Sequence, residues 1–214
     1  NIIDCGAGDY WPGGHTFDCS YCDAGYFCPG GSWSYTVGAS EQGRNTCPTD
    51  AVKRTVTSAN GSDANTDCYV TCPSTKQVVN AKTVTVVDAT PNYNGTAYPA
   101  CRYTVTCNDG YTATNNGTAT PSCDANTYTL TFNANSGSGT APTITTCTYE
   151  SCVLPENTYT KLGHVFSGWY FDPNDDGEIE AQPGENIGQY LANSVAGQTI
   201  EITAGWVPCS AGNY

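Results

Sequence analysis

The last third of the chain alternates apolar and polar residues with the period of two that is typical of β-strands with one buried face. The alternation is clearest in Tyr128–Phe132 and in Ile200–Trp206. One side of the predicted sheet would carry Leu130, Phe132, Val165, Trp169, Ile200, Ile202 and Ala204. Trp169 and Trp206 are large enough to fill much of the core against this sheet. The pattern therefore predicts a sheet with one apolar face.

A short stretch before the last of these strands has its apolar residues at near-helical spacing. They are Ile187, Tyr190, Leu191 and Val195. Because residues three and four apart lie on one side of a helix, we predict one short helical or irregular segment that covers the sheet.

The middle of the chain also predicts strands, at Lys82–Val87 and at Cys101–Cys107, where apolar and polar residues again alternate. Cys107-Asn-Asp-Gly-Tyr111 is followed by Asn115-Asn-Gly117 and by Cys123. Asn-Gly favours the positive φ of tight turns. We therefore predict a hairpin whose ends are pinned by cysteines.

Thirteen cysteines are spread along the whole chain, as in a disulfide framework of small secreted modules. The candidates for six bridges are Cys5, Cys19, Cys22, Cys28, Cys47, Cys68, Cys72, Cys101, Cys107, Cys123, Cys147 and Cys152. Cys147 and Cys152 are close enough in sequence for a local bridge, and Cys209 is left over. Zinc is the alternative, because Cys19-Ser-Tyr-Cys22 has a zinc-knuckle spacing, although the usual second pair of ligands is missing.

Charge excludes some classes of function. The formal net charge is −13 and the pI is near 4.1, so the chain repels phosphate backbones and anionic lipid surfaces. We expect no nucleic-acid partner and no membrane insertion, since no stretch approaches 18 consecutive apolar residues. The chain begins at Asn1 without a basic leader, so we expect a mature or excised segment of a secreted protein, extracellular or on the cell surface.

Three Asn-x-Ser/Thr triplets are compatible with a secretory route. Their acceptors are Asn60, Asn94 and Asn116, which are candidates for N-glycosylation. The sequence predicts a glycoprotein only if the source organism glycosylates such triplets.

The first 47 residues resemble a known kind of Cys-rich module. Cys22-Asp-Ala-Gly-Tyr-Phe-Cys28-Pro-Gly-Gly is similar to the short repeats of ephrin-receptor-like and tumour-necrosis-factor-receptor-like modules. The resemblance implies a ladder of turns pinned by disulfides. It also implies that Tyr10, Trp11, Tyr26 and Phe27 stack over the bridges as a miniature core.

Residues 125–207 resemble the Listeria–Bacteroides repeat, the internalin-type B repeat. The resemblance rests on Tyr128-Thr-Leu-Thr-Phe132, Gly163-His-Val-Phe-Ser-Gly-Trp169-Tyr170 and Ile200-Glu-Ile-Thr-Ala-Gly-Trp206. It implies a compact β-grasp module that occurs in tandem on bacterial surface proteins and has no catalytic residues. The pair Cys147 and Cys152 departs from the family pattern.

We therefore predict a mainly β chain in which disulfide-rich small modules are followed by a β-grasp-like repeat domain. The predicted segments are a Cys-rich module at 1–47, a β-rich Cys-bearing module at 48–124, the repeat at 125–207 and the start of a further Cys-rich module at 208–214. The last of these rests on the match of Cys5-Gly-Ala-Gly-Asp-Tyr10 with Cys209-Ser-Ala-Gly-Asn-Tyr214 at four of six positions. The match predicts a head-to-tail series in which Cys209 pairs beyond Tyr214, as Cys5 would pair with Cys19. A single following module, or an unpaired thiol, would give the same ending.

One acidic segment resembles the first half of a calcium loop. Asp172, Asn174, Asp176 and Glu178 are candidate ligands, with Gly177 at the sixth position. The closing acid of such a loop is replaced by Pro183. We expect no cofactor other than a possible calcium ion, and the alternative is an ordinary acidic turn that binds nothing.

Catalysis is not expected, because His15 and His164 are the two histidines and neither lies in a nucleophile motif. We predict a structural or adhesive segment of a repetitive surface protein or extracellular fibre, whose partners are neighbouring copies or modules of the same protein. The alternative is a binding module, an adhesin that recognises a host protein or glycan through exposed aromatic residues.

Overall fold

The computed structural model describes residues 1–144, 146–175 and 177–210. Strands are the main regular element, and the helices described are two short 3-10 turns at Asn65–Asp67 and Gly188–Leu191. The predicted fold class is confirmed: the chain is mainly β, with many disulfides in small modules and a β-grasp-like repeat domain.

The chain divides into two compact units. Unit 1 contains residues 1–77, 84–104 and 117–120, and unit 2 contains residues 78–83, 105–116 and 121–214. The strands β9 (Ala81–Val86) and β10 (Tyr103–Cys107) pair with each other and contribute residues to both units.

Unit 1 is otherwise built from very short strands in antiparallel pairs, β1 with β5, β2 with β3, β4 with β6 and β7 with β8. Their bounds are Ile2–Cys5 (β1), Asp9–Tyr10 (β2), Ser20–Tyr21 (β3), Tyr26–Phe27 (β4), Gly31–Ser34 (β5), Asn45–Thr46 (β6), Val56–Thr57 (β7) and Tyr69–Val70 (β8). Two-residue strands bury too little apolar surface to be stable alone, so disulfides supply much of the constraint.

The four aromatic residues of the predicted miniature core pack beside cysteines of the bridges, but they belong to three separate clusters. Trp11 is buried beside Cys5, while Tyr10 is buried beside Cys22 and Cys28 with Tyr26 against them. Phe27 packs on a third cluster that contains Cys68, Val70 and Tyr98.

Six disulfide bridges join the twelve candidate cysteines. The pairs are Cys5–Cys19, Cys22–Cys28, Cys47–Cys68, Cys72–Cys101, Cys107–Cys123 and Cys147–Cys152. The loops that they close follow one another along the chain without overlap. Each bridge therefore pins a local module, and Cys19 and Cys22 are bonded to different partners rather than to one zinc ion.

Contacts within unit 1 cross the predicted boundary between residues 47 and 48. The bridge Cys47–Cys68 spans it, and the Ser58 hydroxyl donates to the Tyr26 carbonyl at 2.6 Å while it accepts from the Gly25 amide. The predicted segment 48–124 has residues in both units. The compact units divide the chain at other positions, and the four predicted segments stay a prediction.

The hairpin predicted before Cys123 is confirmed. Its strands are β11 (Tyr111–Thr114) and β12 (Ser122–Ala125), which pair antiparallel, and the Cys107–Cys123 bridge pins its ends.

Unit 2 is organised around a five-stranded sheet with the order β15-β13-β19-β17-β18. Its strands are β13 (Thr127–Asn133), β15 (Thr146–Thr148), β17 (His164–Phe171), β18 (Ile179–Ala181) and β19 (Thr199–Pro208), and β14 (Ser138–Gly139) pairs separately with β16 (Tyr159–Thr160). The first and last strands, β13 and β19, are adjacent and parallel, while the other pairs are antiparallel. The order second, first, fifth, third, fourth with a parallel central pair is that of a β-grasp fold.

One face of this sheet carries the core of unit 2. Leu130, Trp169, Ile200, Ile202 and Ala204 are buried there, as the alternation predicted, and Phe132 packs partly buried against them. Buried cover residues are Leu154, Tyr159, Ile187 and Leu191, which lie in irregular segments, a short strand and a 3-10 turn. Within the described residues, the cover contains no α-helix.

The prediction for Val165 is wrong: its side chain is 51% exposed. The register of β17 against β19 shifts between Phe166 and Gly168, which marks a β-bulge. An extra residue in one strand reverses the alternation beyond it, so Phe166 and Trp169 share the core side and Val165 lies opposite.

The prediction for Val195 is also wrong. Ile187 and Leu191 are fully buried and Tyr190 packs against the core, but Val195 is 75% exposed. The 3-10 turn ends at Leu191, so the helical spacing no longer holds at Val195 and its side chain lies outside the cover.

Candidate functional site

Unit 1 contains an open cavity of about 510 Å³. It is lined by Thr49, Asp50, Ala51, Val52, Arg54, Pro73, Lys76, Thr96, Ala97, Tyr98, Ala100, Cys101, Tyr103 and Ala119. The lining is mostly apolar and contains three charged side chains, Asp50, Arg54 and Lys76. We refer to it as the unit 1 cavity.

Asp50 and Arg54 form a fork-shaped ion pair at the wall of this cavity. Arg54 Nε lies 2.8 Å from Asp50 Oδ2, and Arg54 Nη2 lies 2.9 Å from Asp50 Oδ1. The side chain of Asp50 is 3% exposed and that of Arg54 is 16% exposed. Buried charges are stable when they are paired in such a bidentate geometry.

All five N–H groups of the Arg54 guanidinium have an acceptor. Besides the two bonds to Asp50, Nη1 donates to the Pro99 carbonyl at 2.8 Å and to Cys101 Sγ, and Nη2 donates to the Tyr98 carbonyl. Arg54 thus fastens the 50–54 turn to the segment 98–101. Since no donor remains, Arg54 is a structural clamp rather than a ligand group.

The clamp shifts the pKa values of both partners. The hydrogen bond from Arg54 lowers the pKa of Asp50 to about 2, against the opposing effect of burial. The hydrogen bond to Asp50 raises the pKa of Arg54. Both groups therefore keep their charges at neutral pH.

Lys76 is the third charged residue of the cavity. Its Nζ donates to the Ala119 carbonyl at 2.8 Å and lies 5.3 Å from the centre of the Tyr103 ring. Tyr98 forms another part of the wall. Its hydroxyl donates to the Pro48 carbonyl at 2.9 Å, and burial raises its pKa.

Sequence reasoning missed this cavity. Asp50 and Arg54 are four residues apart, a visible spacing for an ion pair, but the acceptors at Pro99 and Tyr98 are more than 40 residues away. Nothing local in the sequence indicates that these segments meet.

The candidate calcium loop is described only in part, because Asp176 lies outside the described residues. Asn174 Oδ1 accepts a hydrogen bond from the Ser194 hydroxyl at 3.1 Å. Among the described residues, no group of three or more His, Cys, Asp or Glu side chains is arranged to hold a metal ion. Calcium at Asp172, Asn174, Asp176 and Glu178 stays a prediction.

The three candidate glycosylation sites are exposed but differ in their hydrogen bonds. Asn94 accepts from the amides of Thr96 and Ala97 through Oδ1. Asn116 uses both side-chain atoms, since Oδ1 accepts from the Val105 amide and Nδ2 donates to the Val105 carbonyl. A glycan on Asn116 Nδ2 would compete with this bond, so the geometry favours Asn94 over Asn116. Modification of Asn60, Asn94 or Asn116 stays a prediction.

Cys209 is half-buried and has no disulfide partner among the described residues. Its amide donates to the Gly163 carbonyl at 2.9 Å, which continues the pairing at the end of β19. Residues 211–214, which carry most of the match to the start of the chain, lie outside the described residues.

A stacked aromatic pair in unit 1 has one exposed ring, Phe17, and one half-buried ring, Tyr35. The rings of Phe17 and Tyr35 are stacked, with centroids 4.1 Å apart and an interplanar angle of 20°. Phe17 is 52% exposed. Val37, which follows Tyr35 by two residues in the sequence, is 63% exposed. The sequence predicted exposed aromatic residues but did not identify this pair.

The family model of the Listeria-Bacteroides repeat domain matches residues 128–188. The match begins at the second residue of β13, ends at the first residue of the 3-10 turn Gly188–Leu191 and does not include β19. No curated protein and no solved structure matches the chain. For the Cys-rich part the bridges are consistent with a Cys-rich module, without a specific family.

The repeat match suggests a surface or extracellular repeat protein. The six disulfides agree with this location, because disulfides persist in oxidising compartments. No helix among the described residues has the length and apolar character needed to cross a membrane.

Proposed function

We propose that this chain is a non-catalytic, load-bearing segment of a modular extracellular surface protein or fibre, with structural or adhesive use and with neighbouring copies or modules as its partners. The match to the Listeria-Bacteroides repeat and the row of local disulfides support the proposal.

The parallel pairing of β13 with β19 carries the proposal. Leu130 pairs with Ile200 and Phe132 with Ile202 at the centre of the sheet. Because the chain enters the sheet at the start of β13 and leaves it at the end of β19, tension along the chain pulls these strands in opposite directions along their axes. All hydrogen bonds between them are then loaded together.

The disulfides suit the same use. Their loops follow one another in series, with partners 5 to 29 positions apart in the sequence. Under tension each bridge keeps its own loop from extending, so small modules with thin cores stay short without a large common core.

Single-molecule pulling of the full chain from its two ends tests the proposal. We expect the sheet of unit 2, recognised by a length gain of about 27 nm, to give the event with the highest unfolding force. Reduction should lengthen the fully extended chain by about 30 nm, because six loops are released.

The oxidised chain serves as the control for the reduced one. A sheet that unfolds before the modules of unit 1, or at forces indistinguishable from theirs, would contradict a load-bearing role.

A second candidate function is recognition of a host protein or glycan, favoured by the exposed ring of Phe17, which stacks on the half-buried ring of Tyr35. Large exposed aromatic faces supply contact area for such ligands.

If this function holds, Phe17→Ala should abolish binding to the ligand that the wild-type chain selects on glycan or protein arrays. Tyr21→Ala, which removes a ring that is 66% exposed, should leave binding unchanged. Equal binding by the wild-type chain and Phe17→Ala would refute this use of the pair.

A further inference from the structure

The unit 1 cavity has the properties of a binding site that neither proposed function uses. We propose that it binds a small amphipathic monoanion, such as an aliphatic or aromatic carboxylate. The apolar body of this ligand occupies the cavity, and its anionic group pairs with Lys76 Nζ.

The size and lining fit an apolar body. Ligand pockets in proteins commonly measure about 300–1000 Å³ and have mostly apolar walls with a few polar groups, and this cavity has about 510 Å³. Its apolar lining comprises Val52, Pro73, Ala97, Tyr98, Ala100, Tyr103 and Ala119. Val52 is 71% exposed at the rim, where a bound apolar group would cover it.

The walls are held in place before a ligand arrives. The Arg54 clamp joins the 50–54 turn to the Pro99 carbonyl, and the Cys72–Cys101 bridge joins the 73–76 side to the 98–101 side. A preformed site costs little ordering entropy when it binds.

The charges select an anion. Asp50 accepts three hydrogen bonds from Arg54, and the Arg54 guanidinium has no free donor, so this pair neutralises itself. An ammonium group has three donors, and in the structure Lys76 Nζ donates one hydrogen bond, to the Ala119 carbonyl. Among the described residues, no carboxylate lies within ion-pair distance of Lys76.

A cationic ligand would find no free partner here. It would meet Lys76 directly, and the only acid of the lining is already paired. An uncharged apolar ligand would displace water from the half-buried ammonium of Lys76 without replacing the hydrogen bonds of its donors, which costs free energy. An anionic group satisfies them.

Two dyes with the same apolar body test the proposal on the full oxidised chain. 1-Anilinonaphthalene-8-sulfonate carries the anionic group, and N-phenyl-1-naphthylamine lacks it. We expect saturable fluorescence enhancement by the anionic dye with one site per chain and at least about tenfold weaker binding of the neutral dye.

Three variants assign the site. Lys76→Gln can keep a hydrogen bond to the Ala119 carbonyl. It should weaken binding of the anionic dye at least about tenfold and leave binding of the neutral dye unchanged. Lys82→Gln removes the same charge at an exposed position outside the cavity and should change neither. Ala97→Trp fills the cavity and should abolish both. Intact mass and circular dichroism verify the six bridges and the fold of each variant.

Competition on the wild-type chain keeps the proposal testable if a variant misfolds. Octanoate should displace the anionic dye at about tenfold lower concentration than octylamine, because both have eight-carbon chains and their head groups carry opposite charges. The proposal is overturned if Lys76→Gln and Lys82→Gln weaken the dye equally, if folded Ala97→Trp still binds it, or if octylamine competes as well as octanoate.

Discussion

Replacing Trp169 with alanine should lower the free energy of unfolding of unit 2 by about 3–5 kcal/mol. The indole is fully buried at the centre of the core. Its ring centroid lies 5.3 Å from that of Phe132 and 5.0 Å from that of Phe166, and its Nε1 donates to the Pro155 carbonyl at 2.9 Å. The substitution leaves a cavity between the sheet and its cover and an acceptor without its donor.

Hydrogen exchange followed by mass spectrometry measures this effect locally. Peptides from β13 and β19 should exchange between about a hundredfold and a few thousandfold faster in Trp169→Ala. Peptides from unit 1 in the same chain provide an internal reference.

Val165→Ala is the matched control in the same strand. Val165 is 51% exposed because the bulge places its side chain on the face of the sheet opposite the core. Truncation of this side chain should change the free energy of unfolding by at most about 0.5 kcal/mol. Comparable destabilisation by the two substitutions would contradict the position of the bulge.

The second large effect is expected for Arg54→Met, which should destabilise unit 1 by about 3–5 kcal/mol. The methionine keeps much of the apolar stem but leaves the carboxylate of Asp50 buried without its partner. The carbonyls of Tyr98 and Pro99 also lose their donor. Thermal unfolding of the oxidised chain, with hydrogen exchange of the 94–101 peptide, measures the loss.

Two further variants identify the cause. Arg102→Met makes the same change at an exposed arginine and should cost at most about 0.5 kcal/mol. Asp50→Asn combined with Arg54→Met removes the buried charge together with its partner and should be more stable than Arg54→Met alone. If the double variant is no more stable than the single one, the unpaired carboxylate is not the source of the cost.

The ion pair of Asp50 and Arg54 should make the free energy of unfolding of unit 1 depend on pH in the acidic range. The pKa of Asp50 is lowered in the folded chain to about 2 from its ordinary value of 3.8, so the unfolded chain takes up this proton first as the pH falls. The contribution is complete above pH of about 4 and is lost progressively toward pH 2, by about 2 kcal/mol. In Arg54→Met this loss should disappear, because the burial that remains raises the pKa of Asp50.

Local patterns in the sequence determined the class of structure and much of the core. A period of two is a property of neighbouring residues, so Leu130, Ile200 and Ile202 were correctly placed on one face before any strand pairing was known. The same local pattern failed for Val165, because a bulge forms only when two strands pair and one of them holds an extra residue.

For the cysteines, too, the sequence determined one property and the tertiary structure another. Their number and spread determined that the chain is stapled by disulfides, since composition alone carries that information. The pairing of Cys47 with Cys68 and of Cys72 with Cys101 depends on which segments meet in space, which spacing along the chain does not determine.

The sequence by itself thus determined that this protein is mainly β, acidic and held by disulfides, and that its last module resembles a surface repeat. Only the tertiary structure decided that β13 lies parallel to β19, about 70 residues further along the chain, and that Arg54 reaches the carbonyl of Pro99 to form one wall of a cavity. The physical reason is that burial follows from the polarity of each residue and its neighbours. Strand pairing, clamps and cavities depend on contacts between distant segments, and those contacts form only when the segments have folded together.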